Sequence, residues 1–591
     1  HSGGDSKRVP QYSACGKLFS PVPRVLPNGK RSTLFDEFMI SMSGVAARMN
    51  AGMLVCSGDV LLLFNPLQID FYGKGAAALS IKEPAEIGKN HGVYRVDGEG
   101  NVGGFLHKKT VEQLQSLGAS DDQGNVDIDT GAVIFDSEML QALYQLVDTK
   151  EKFAAYVNER TRLSFYADFL YPLASDSTLE QYYKETPEGD FTPELEQCRT
   201  ELWSVLHPYQ MKLIRMSPAA FIHFGTTKEL RELMEEFCYL GWSSHIHTNR
   251  AEQNFAVSNS YVSPAAEIGV GSYLEDSMIR HKSQIGEECV ISGVTLDGQA
   301  IPDHTVLHGL KLLNGKFVVR MYGVSDNPKE ASLFGKELPV PLWEAPIYPV
   351  CASMEEAVHQ TLEAWKEGFP IWEDGISLKD QADLSALLPW QEKVSDKVEL
   401  EEILEAIDRK ENLTRLVEEM RDGISERIKA ELLKEAQRLS ETELEQFSRK
   451  IRIYYVLSCF EEKYMDSCFA TISSGILAGA VKGLSYDADA KMGKDQVTVN
   501  LPVRVNWGGG WSDTPPYCME HGGTVLNAAV MLDGNCPIEV VVKKVDEPVI
   551  ILASADSGAE QTFTDISSLQ DSSNPYDPFA LHKAALIACG V

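Results

Sequence analysis

The sequence predicts a multidomain α/β protein that also contains a short left-handed parallel β-helix, an α-helical connector and a final α+β region. Three observations lead to this fold class. The chain has 591 residues, more than one domain usually contains. Short I-G-x turns among small or apolar residues recur between about 251 and 320, as in the coils of a β-helix. Further on the chain becomes acidic, and one apolar helix stripe can be traced through Leu413, Val417, Met420, Ile424 and Ile428.

Composition excludes several classes of function. The net charge of −32 argues against nucleic acid as a partner, because a phosphate backbone needs a broad basic surface. Apolar runs are too short for a membrane span. The eleven cysteines are scattered without a C-x-x-C pair, as in a protein with reduced thiols, which predicts a cytoplasmic location.

The first residues predict a phosphate-binding loop. Gly3 and Gly4 let the backbone approach a phosphate chain, and successive N–H groups in such a turn bind anions. Ser6 adds a hydroxyl donor, while Arg8 and Lys17 supply cations for phosphate oxygens. A glycine turn beside a solvated basic patch is the alternative interpretation of the two glycines taken alone.

A second group of candidates follows an apolar run over residues 53–56. Asp59 comes just after a glycine at the end of this run, where open α/β sheets place ligand chemistry, although it could equally cap a turn. Taken singly, the features further on are more often turns or surface groups than ligand contacts. These further candidates are Asn90, His91, Gly92, Lys108, Asp129, Asp168, His223 and Gly225.

The string G-G-x-S-x-R-x-P, followed by G-K and P-x-P, resembles the signature loop of sugar-1-phosphate nucleotidyltransferases. Its form here is most similar to the GDP-fucose pyrophosphorylase half of the bifunctional fucokinase/GDP-fucose pyrophosphorylases. The later motifs H-G-V, D-T-G and Y-x-D occur in the same order as in that family. The resemblance implies a Rossmann-like, GT-A-type nucleotidyltransferase domain over residues 1–250, whose first strand would lie upstream of residue 1.

The resemblance also implies roles for the candidates. Asp59 would be the catalytic Mg²⁺ ligand, Arg8 and Lys17 catalytic cations, and Lys108 a phosphate ligand on the family's lysine. Asn90, His91, Gly92, Asp129, Asp168, His223 and Gly225 would contact sugar or base. His223 stands where related enzymes carry a metal-binding Asp, but imidazole is a poor Mg²⁺ ligand. We therefore do not assign His223 to the metal; a substrate contact and a hydrogen-bonded core histidine both remain open.

The rest of the chain is divided into a parallel β-helix over 251–345, a helical connector over 346–495 and a final region over 496–591. We interpret the β-helix as structural or oligomer-forming, since an acyltransferase typically has many more coils. In the final region, P-x-R-V-x-x-G-G-G-W-S-D-T-P-P resembles the opening motif of the fucokinase branch of GHMP sugar kinases. That resemblance implies a partial GHMP kinase domain with a sugar site at Arg504, Gly508, Gly509, Gly510 and Asp513.

The resemblance implies guanylyl transfer from GTP to L-fucose 1-phosphate with release of pyrophosphate, and ATP-dependent phosphorylation of L-fucose by the complete protein. The expected partners are these small molecules, without nucleic acid or membrane, and a homo-oligomer is possible. No second glycine/serine phosphate loop follows Asp513, so we expect no kinase activity from residues 1–591 alone.

Three alternatives stay open at this stage. The chain could act on another sugar 1-phosphate, since base and sugar choice depend on a few contacts. It could be a heptose-type GHMP kinase with a non-catalytic front half, which the intact Arg8, Lys17 and Asp59 argue against. It could also be a non-enzymatic scaffold built on the β-helix.

Overall fold

The computed structural model describes residues 6–26, 31–235, 254–379, 382–420, 423–440, 443–481, 493–514, 517–572 and 574–589. The chain divides into two compact units, His1–Ser395 and Asp396–Val591. Among the described residues, no helix is long and apolar enough to cross a membrane.

The first unit begins with a mixed α/β layer. Its strands are β1 (Pro21–Val25), β2 (Arg31–Thr33), β3 (Gly52–Cys56), β4 (Val60–Phe64), β5 (Ala76–Pro84), β6 (Gly92–Val96), β7 (Val102–His107), β8 (Asn125–Asp136), β9 (Met211–Arg215) and β10 (Ala219–His223). Its helices are α1 (Leu34–Met42), α2 (Ala85–Gly88), α3 (Val111–Ser116), α4 (Ser137–Tyr144), α5 (Lys150–Tyr156), α6 (Leu179–Lys184), α7 (Pro193–Leu206) and α8 (Thr227–Glu235).

The central sheet has six strands in the order β7-β6-β8-β5-β9, with β3 also paired to β8. Only β5 and β9 pair in parallel among these described strands, with Leu79 opposite Ile214. The sheet is therefore mixed, and its pairing differs from the largely parallel sheet that a Rossmann-like layer implies. Strand β3, which precedes Asp59, is half-exposed because it lies at the edge of the sheet. The apolar run over residues 53–56 had suggested a buried strand.

The predicted parallel β-helix is present as a solenoid of about three turns. Its strands are β11 (Ala256–Ser258), β12 (Tyr261–Val262), β13 (Glu267–Ile268), β14 (Tyr273–Glu275), β15 (Met278–Ile279), β16 (Gln284–Ile285), β17 (Val290–Ser292), β18 (Thr295–Leu296), β19 (Ala300–Ile301), β20 (Thr305–Lys311) and β21 (Phe317–Gly323). They stack in three parallel sheets, and β21 turns back antiparallel on β20.

Apolar rungs and a tight turn explain the stacking. Tyr273 lies opposite Val290, and Val290 lies opposite Val306, so that buried side chains form columns inside the solenoid. At the turn after β16, a Cβ atom on Gly286 would lie 2.5 Å from the backbone nitrogen of Asp303 in the next turn. Glycine is therefore required there, which accounts for the I-G-x pattern.

The first unit closes with β22 (Ser332–Leu333), β23 (Lys336–Glu337) and α9 (Met354–Lys366), whose Thr361 hydroxyl donates to the Val319 carbonyl at 2.9 Å. Helix α10 (Leu387–Asp408) runs from the first unit into the second. The connector continues as α11 (Leu413–Glu419), α12 (Glu426–Arg438), α13 (Leu444–Phe460) and α14 (Lys463–Val481).

The apolar stripe predicted for a single helix is divided between two. Helix α11 ends at Glu419, and Ile424 and Ile428 belong to the entry and first turn of α12. Gly423, at φ +80°, lies in the break. The stripe residues nevertheless pack into one helical core, because both helices turn their apolar faces to it.

The final region contains β24 (Gln496–Leu501), β25 (Val503–Gly508), α15 (Tyr517–His521), β26 (Leu526–Val530), β27 (Ile538–Lys543), β28 (Ile550–Ser554), β29 (Ala559–Phe563) and α16 (Ala580–Ala588). Its strands pair two by two, as β24-β27, β25-β26 and β28-β29. Apolar side chains on the first pair are exposed, for example Val499 and Val542 at 45% and 55%. A kinase-type fold for this region therefore stays a prediction.

Asp168, a candidate sugar or base contact, lies inside the protein. It follows Ser164 in a π-helical turn (Phe165–Leu170). Its Oδ1 accepts a hydrogen bond from the Arg199 Nε at 2.7 Å, and both side chains are at most 1% exposed. The buried guanidinium also donates to the carbonyls of Tyr182 and Glu185, both at 3.0 Å. The structure thus gives Asp168 a role in the core, because it balances a buried charge.

We expect Asp168→Ala to lower the free energy of unfolding of the first unit by about 3–5 kcal/mol, because it leaves Arg199 buried without its counter-charge. Denaturant unfolding measures this loss. Glu180→Ala, which removes an exposed pair with Lys184, is the control and should leave the transition unchanged. Equal stability of the two variants would contradict the internal ion pair.

Candidate active site

Most of the predicted site residues line one cleft of the first unit, with a volume of about 810 Å³. They come from the N-terminal loop, the β3–β4 turn, the start of β6, the end of β7, β8 and β10. The candidates brought together there are Ser6, Arg8, Lys17, Asp59, Asn90, His91, Gly92, Lys108, Asp129 and His223.

The other candidates lie elsewhere. Gly3 and Gly4 fall outside the described residues. Asp168 is internal, and Gly225 lies directly behind the cleft, where its carbonyl accepts a hydrogen bond from Lys17. Arg504, Gly508, Gly509, Gly510 and Asp513 belong to the second unit, on β25 and the loop that follows.

Lys17 and Asp59 form an ion pair at one wall of the cleft. The Lys17 Nζ lies 3.3 Å from the Asp59 Oδ2 and 3.3 Å from the Gly225 carbonyl oxygen. Burial lowers the pKa of Lys17 although Asp59 opposes this change. Burial alone would raise the pKa of Asp59, but the Ser57 hydroxyl, at 2.6 Å from Oδ1, and the Lys17 ammonium hold it below its ordinary value. The cleft thus holds an ionised carboxylate beside a cation.

The loop that carries Arg8 and Lys17 is fastened to the solenoid. The Tyr12 hydroxyl donates to the Glu275 Oε2 at 2.6 Å, and the Tyr322 hydroxyl donates to the Gln11 Oε1 at 3.0 Å. Tyr12, Glu275 and Tyr322 are buried. The described part of the loop is therefore positioned by residues more than 250 positions away in the sequence.

An aromatic and imidazole wall forms another part of the cleft. The His91 ring meets the Phe221 and His223 rings edge-on, with centroid distances of 5.2 and 5.9 Å. Phe221 and His223 are nearly parallel at 4°. Burial, followed by the electrostatic effect of the neighbouring His223, lowers the pKa of His91, which favours its neutral form. This wall offers flat apolar surface together with ring nitrogens.

Asp129 and Lys108 complete the predicted set. The Asp129 Oδ1 accepts hydrogen bonds from the Tyr94 hydroxyl at 2.7 Å and from the Gly131 N–H at 2.9 Å. Burial raises the pKa of Asp129 in spite of these bonds. Lys108 follows β7 with φ +47°, and its N–H donates to the His91 carbonyl at 3.2 Å. This turn brings Lys108 to the cleft.

Several lining residues were not predicted from the sequence. They include two residues of a segment after the solenoid, Lys329 and Trp343, and the Lys7 ammonium lies 5.7 Å from the Trp343 ring centroid. Glu344 of the same segment also lines the cleft, and the others include Ser57, Tyr166, Arg162 and Glu188. Tyr166 was visible in the Y-x-D motif. The segment after the solenoid carries no local motif, so only the three-dimensional fold reveals it.

The donor set fits a magnesium ion bound together with a substrate. Among the described residues, no group of three or more His, Cys, Asp or Glu side chains gathers as a metal cage. Mg²⁺ is usually bound by one or two carboxylates together with substrate phosphates. Asp59 can supply such a carboxylate in the cleft.

Comparison with known proteins identifies the family. The family model described as the fucose pyrophosphorylase domain matches residues 1–353. The bifunctional fucokinase/GDP-fucose pyrophosphorylase of Arabidopsis thaliana is 23% identical, and the alignment covers 100% of this chain and 64% of that protein. The L-fucokinase/L-fucose-1-P guanylyltransferase of Bacteroides fragilis is also 23% identical, with the same coverage of 100% and 64%.

The human fucose-1-phosphate guanylyltransferase is 24% identical over 61% of this chain and 71% of that protein. The chain spans slightly less than two thirds of the length of the two bifunctional relatives. Since the family model covers more than half of the chain, this protein belongs to the fucose pyrophosphorylase domain family.

Proposed function

We propose that the first unit transfers a guanylyl group from GTP to L-fucose 1-phosphate and releases pyrophosphate, forming GDP-L-fucose. The main support is that Arg8, Lys17, Asp59 and Lys108, taken from three separate segments, line one cleft. Relatives named for fucose-1-phosphate guanylyl transfer, and the family match over residues 1–353, point to the substrates. A GT-A-type nucleotidyltransferase fold is part of this proposal.

In this reaction a phosphate oxygen of the sugar phosphate attacks the α-phosphorus of GTP, and pyrophosphate leaves in line. The protein need not supply a nucleophile, because positioning and charge neutralisation account for most of the rate. Arg8 and Lys17 stabilise the charge that develops on the phosphate oxygens. Lys108 binds the sugar phosphate or the α-phosphate, and Ser6, together with Gly3 and Gly4, binds the nucleotide phosphates.

Asp59 holds Mg²⁺ in this proposal. The ion would neutralise charge on the nucleotide phosphates and keep them in line. Lys17 then keeps Asp59 ionised and oriented, since its ammonium lies 3.3 Å from the carboxylate. Another sugar 1-phosphate remains an alternative substrate, because the lining residues that select the sugar are few.

A second proposed function is the ATP-dependent phosphorylation of L-fucose, which would belong to a longer protein. Both bifunctional relatives align with the whole chain, including the second unit. Within that unit, Gly509 at φ +77° and Trp511 at φ +74° shape the loop that leads to Asp513. Arg504 and Asp513 would contact the hydroxyl groups of the sugar.

The direct test incubates the chain with GTP, Mg²⁺ and L-fucose 1-phosphate and follows pyrophosphate release. We expect release above a blank without sugar phosphate, and a lower rate with other nucleoside triphosphates. Removal of Mg²⁺ with a chelator should stop it. Turnover of other sugar phosphates, with none of fucose 1-phosphate, would refute the fucose assignment.

Arg8→Ala and Lys17→Ala should each lower kcat about a hundredfold, a loss of roughly 3 kcal/mol of transition-state stabilisation. Lys74→Ala removes a lysine that pairs with Glu138 at the surface and is the matched control. Steady-state kinetics decide the outcome. A higher KM with unchanged kcat would instead assign these cations to ground-state binding.

The two proposed activities can be separated with one substitution. In a longer protein that contains this chain, Asp513→Ala should abolish ATP-dependent formation of fucose 1-phosphate and leave GTP-dependent pyrophosphate release unchanged, since the residue lies in the other unit. Asp546→Ala, an exposed carboxylate of the same unit, is the control. Equal loss of both activities in Asp513→Ala would contradict separate sites.

A further inference from the structure

The segment that follows the solenoid forms one wall of the cleft, and no motif predicted it. Its lining residues include Lys329 and Trp343. The N-terminal loop contributes Lys7 to the same cleft, and the Lys7 ammonium lies 5.7 Å from the Trp343 ring centroid. This distance is within the range of a cation–π interaction. Two lysines without a role in the sequence motifs thus line one cleft, and Trp343 contacts the first of them.

Backbone hydrogen bonds hold Lys329 beside Trp343. The Trp343 N–H donates to the Pro328 carbonyl at 2.9 Å, and the Leu342 N–H donates to the Glu330 carbonyl at 2.8 Å. Lys329 lies between these two carbonyl groups, so its main chain is fastened on both sides. The Trp343 side chain is only 7% exposed, whereas Lys329 is exposed. The wall therefore has a fixed backbone and presents an ammonium group that a ligand can reach.

The cations of the N-terminal loop lie at two different places in the cleft. The Lys17 Nζ is 3.3 Å from the Asp59 Oδ2, where the proposed function places Mg²⁺ and the reacting phosphate. Lys7 lies instead beside Trp343. Ser6 connects the two parts of the loop, because its hydroxyl oxygen accepts a hydrogen bond from the Lys17 N–H at 3.3 Å and it precedes Lys7 in the chain. The loop thus leads from the Asp59 side of the cleft to the wall that contains Lys329.

We propose that Lys7 and Lys329 bind the β- and γ-phosphates of GTP, which leave together as pyrophosphate, and that Trp343 is a positioning residue for Lys7. This inference rests on the proposed function and adds the segment after the solenoid to the nucleotide site. When the bond between the α-phosphorus and the bridging oxygen breaks, its electron pair stays on that oxygen. The two ammonium groups then neutralise charge on the leaving pyrophosphate.

The charges in the cleft favour an anion at this wall. Cationic side chains outnumber carboxylates among the lining residues, although the whole chain has a net charge of −32. The cations are Lys7, Arg8, Lys17, Lys108, Arg162 and Lys329, and the carboxylates are Asp59, Asp129, Glu188 and Glu344. An alternative ligand for the wall is the guanine base, whose N–H groups could donate to the exposed carboxylate of Glu344.

The reverse reaction separates pyrophosphate from the base, because GDP-L-fucose and pyrophosphate are then two substrates. Lys7→Ala and Lys329→Ala should each raise KM for pyrophosphate about tenfold through loss of a charged contact, and leave KM for GDP-L-fucose unchanged. Lys329→Arg keeps the charge and should stay within about threefold of wild type. Lys366→Ala, which removes a surface pair with Glu363, is the control.

A higher KM for GDP-L-fucose with an unchanged KM for pyrophosphate would overturn the proposal and assign the wall to the base or the sugar. In the forward direction, the same lysine variants should raise KM for GTP and leave KM for L-fucose 1-phosphate unchanged. A change in KM for L-fucose 1-phosphate alone would also contradict the pyrophosphate assignment.

A double-mutant cycle tests the role of Trp343. Trp343→Leu should raise KM for pyrophosphate, and its combination with Lys7→Ala should be no worse than Lys7→Ala alone. Trp343→Phe keeps an aromatic ring and should fall between wild type and Trp343→Leu; it provides the same cycle if Trp343→Leu does not fold. Additive losses in the double variant would overturn the positioning role.

Calorimetric titration with pyrophosphate in Mg²⁺ buffer measures the site without turnover. We expect the Kd of Lys329→Ala to be about tenfold higher than that of wild type, and the Kd of Lys366→Ala to be unchanged. Equal Kd values for wild type and Lys329→Ala would overturn the inference, whereas no formation of GDP-L-fucose by wild type would overturn the proposed function.

Discussion

The candidate active site depends on the hydrogen bonds that the buried carboxylate of Glu275 accepts. This carboxylate accepts hydrogen bonds from Tyr12 at 2.6 Å, Tyr273 at 2.9 Å and Ser292 at 2.7 Å. The Arg31 guanidinium lies 3.7 Å away and supplies the counter-charge. A buried carboxylate is stable only with such partners. Tyr12 is one of these partners and belongs to the N-terminal loop. The hydrogen bonds that stabilise the Glu275 carboxylate therefore also fix the described residues of that loop against the solenoid.

The solenoid is therefore part of the functional architecture of the first unit. The sequence suggested a structural or oligomer-forming element, and the structure shows a further role. The solenoid anchors Tyr12 and Gln11, and the segment after it brings Lys329 and Trp343 to the cleft. The cleft thus has walls from the N-terminal loop, the mixed sheet and the segment that follows the solenoid. The first unit therefore cannot be divided into one domain that forms the cleft and another that only supports it.

Local motifs predicted which residues share the cleft better than they predicted the architecture. Arg8, Lys17, Asp59 and Lys108 carry their identity in short patterns, and all of them reach the cleft. The solenoid was predictable because I-G-x turns recur in its sequence. Asp168 was misplaced because a motif does not show whether a carboxylate faces solvent or a buried arginine. The break between α11 and α12 was missed because apolar spacing continues through it. Trp343 lines the cleft only because the three-dimensional fold brings it beside Lys7, which is far away in the sequence.

The attachment of the loop also constrains the length of the solenoid. Gln11 and Tyr12 are neighbours in the chain, yet they bind Tyr322 on β21 and Glu275 on β14. Each additional coil between these strands would move them apart by about 4.8 Å, the spacing of paired strands. Two adjacent side chains could not then reach both partners. The contacts of the loop therefore permit only the present number of coils between β14 and β21. Insertions in this fold should occur at the corners of coils and not as whole coils.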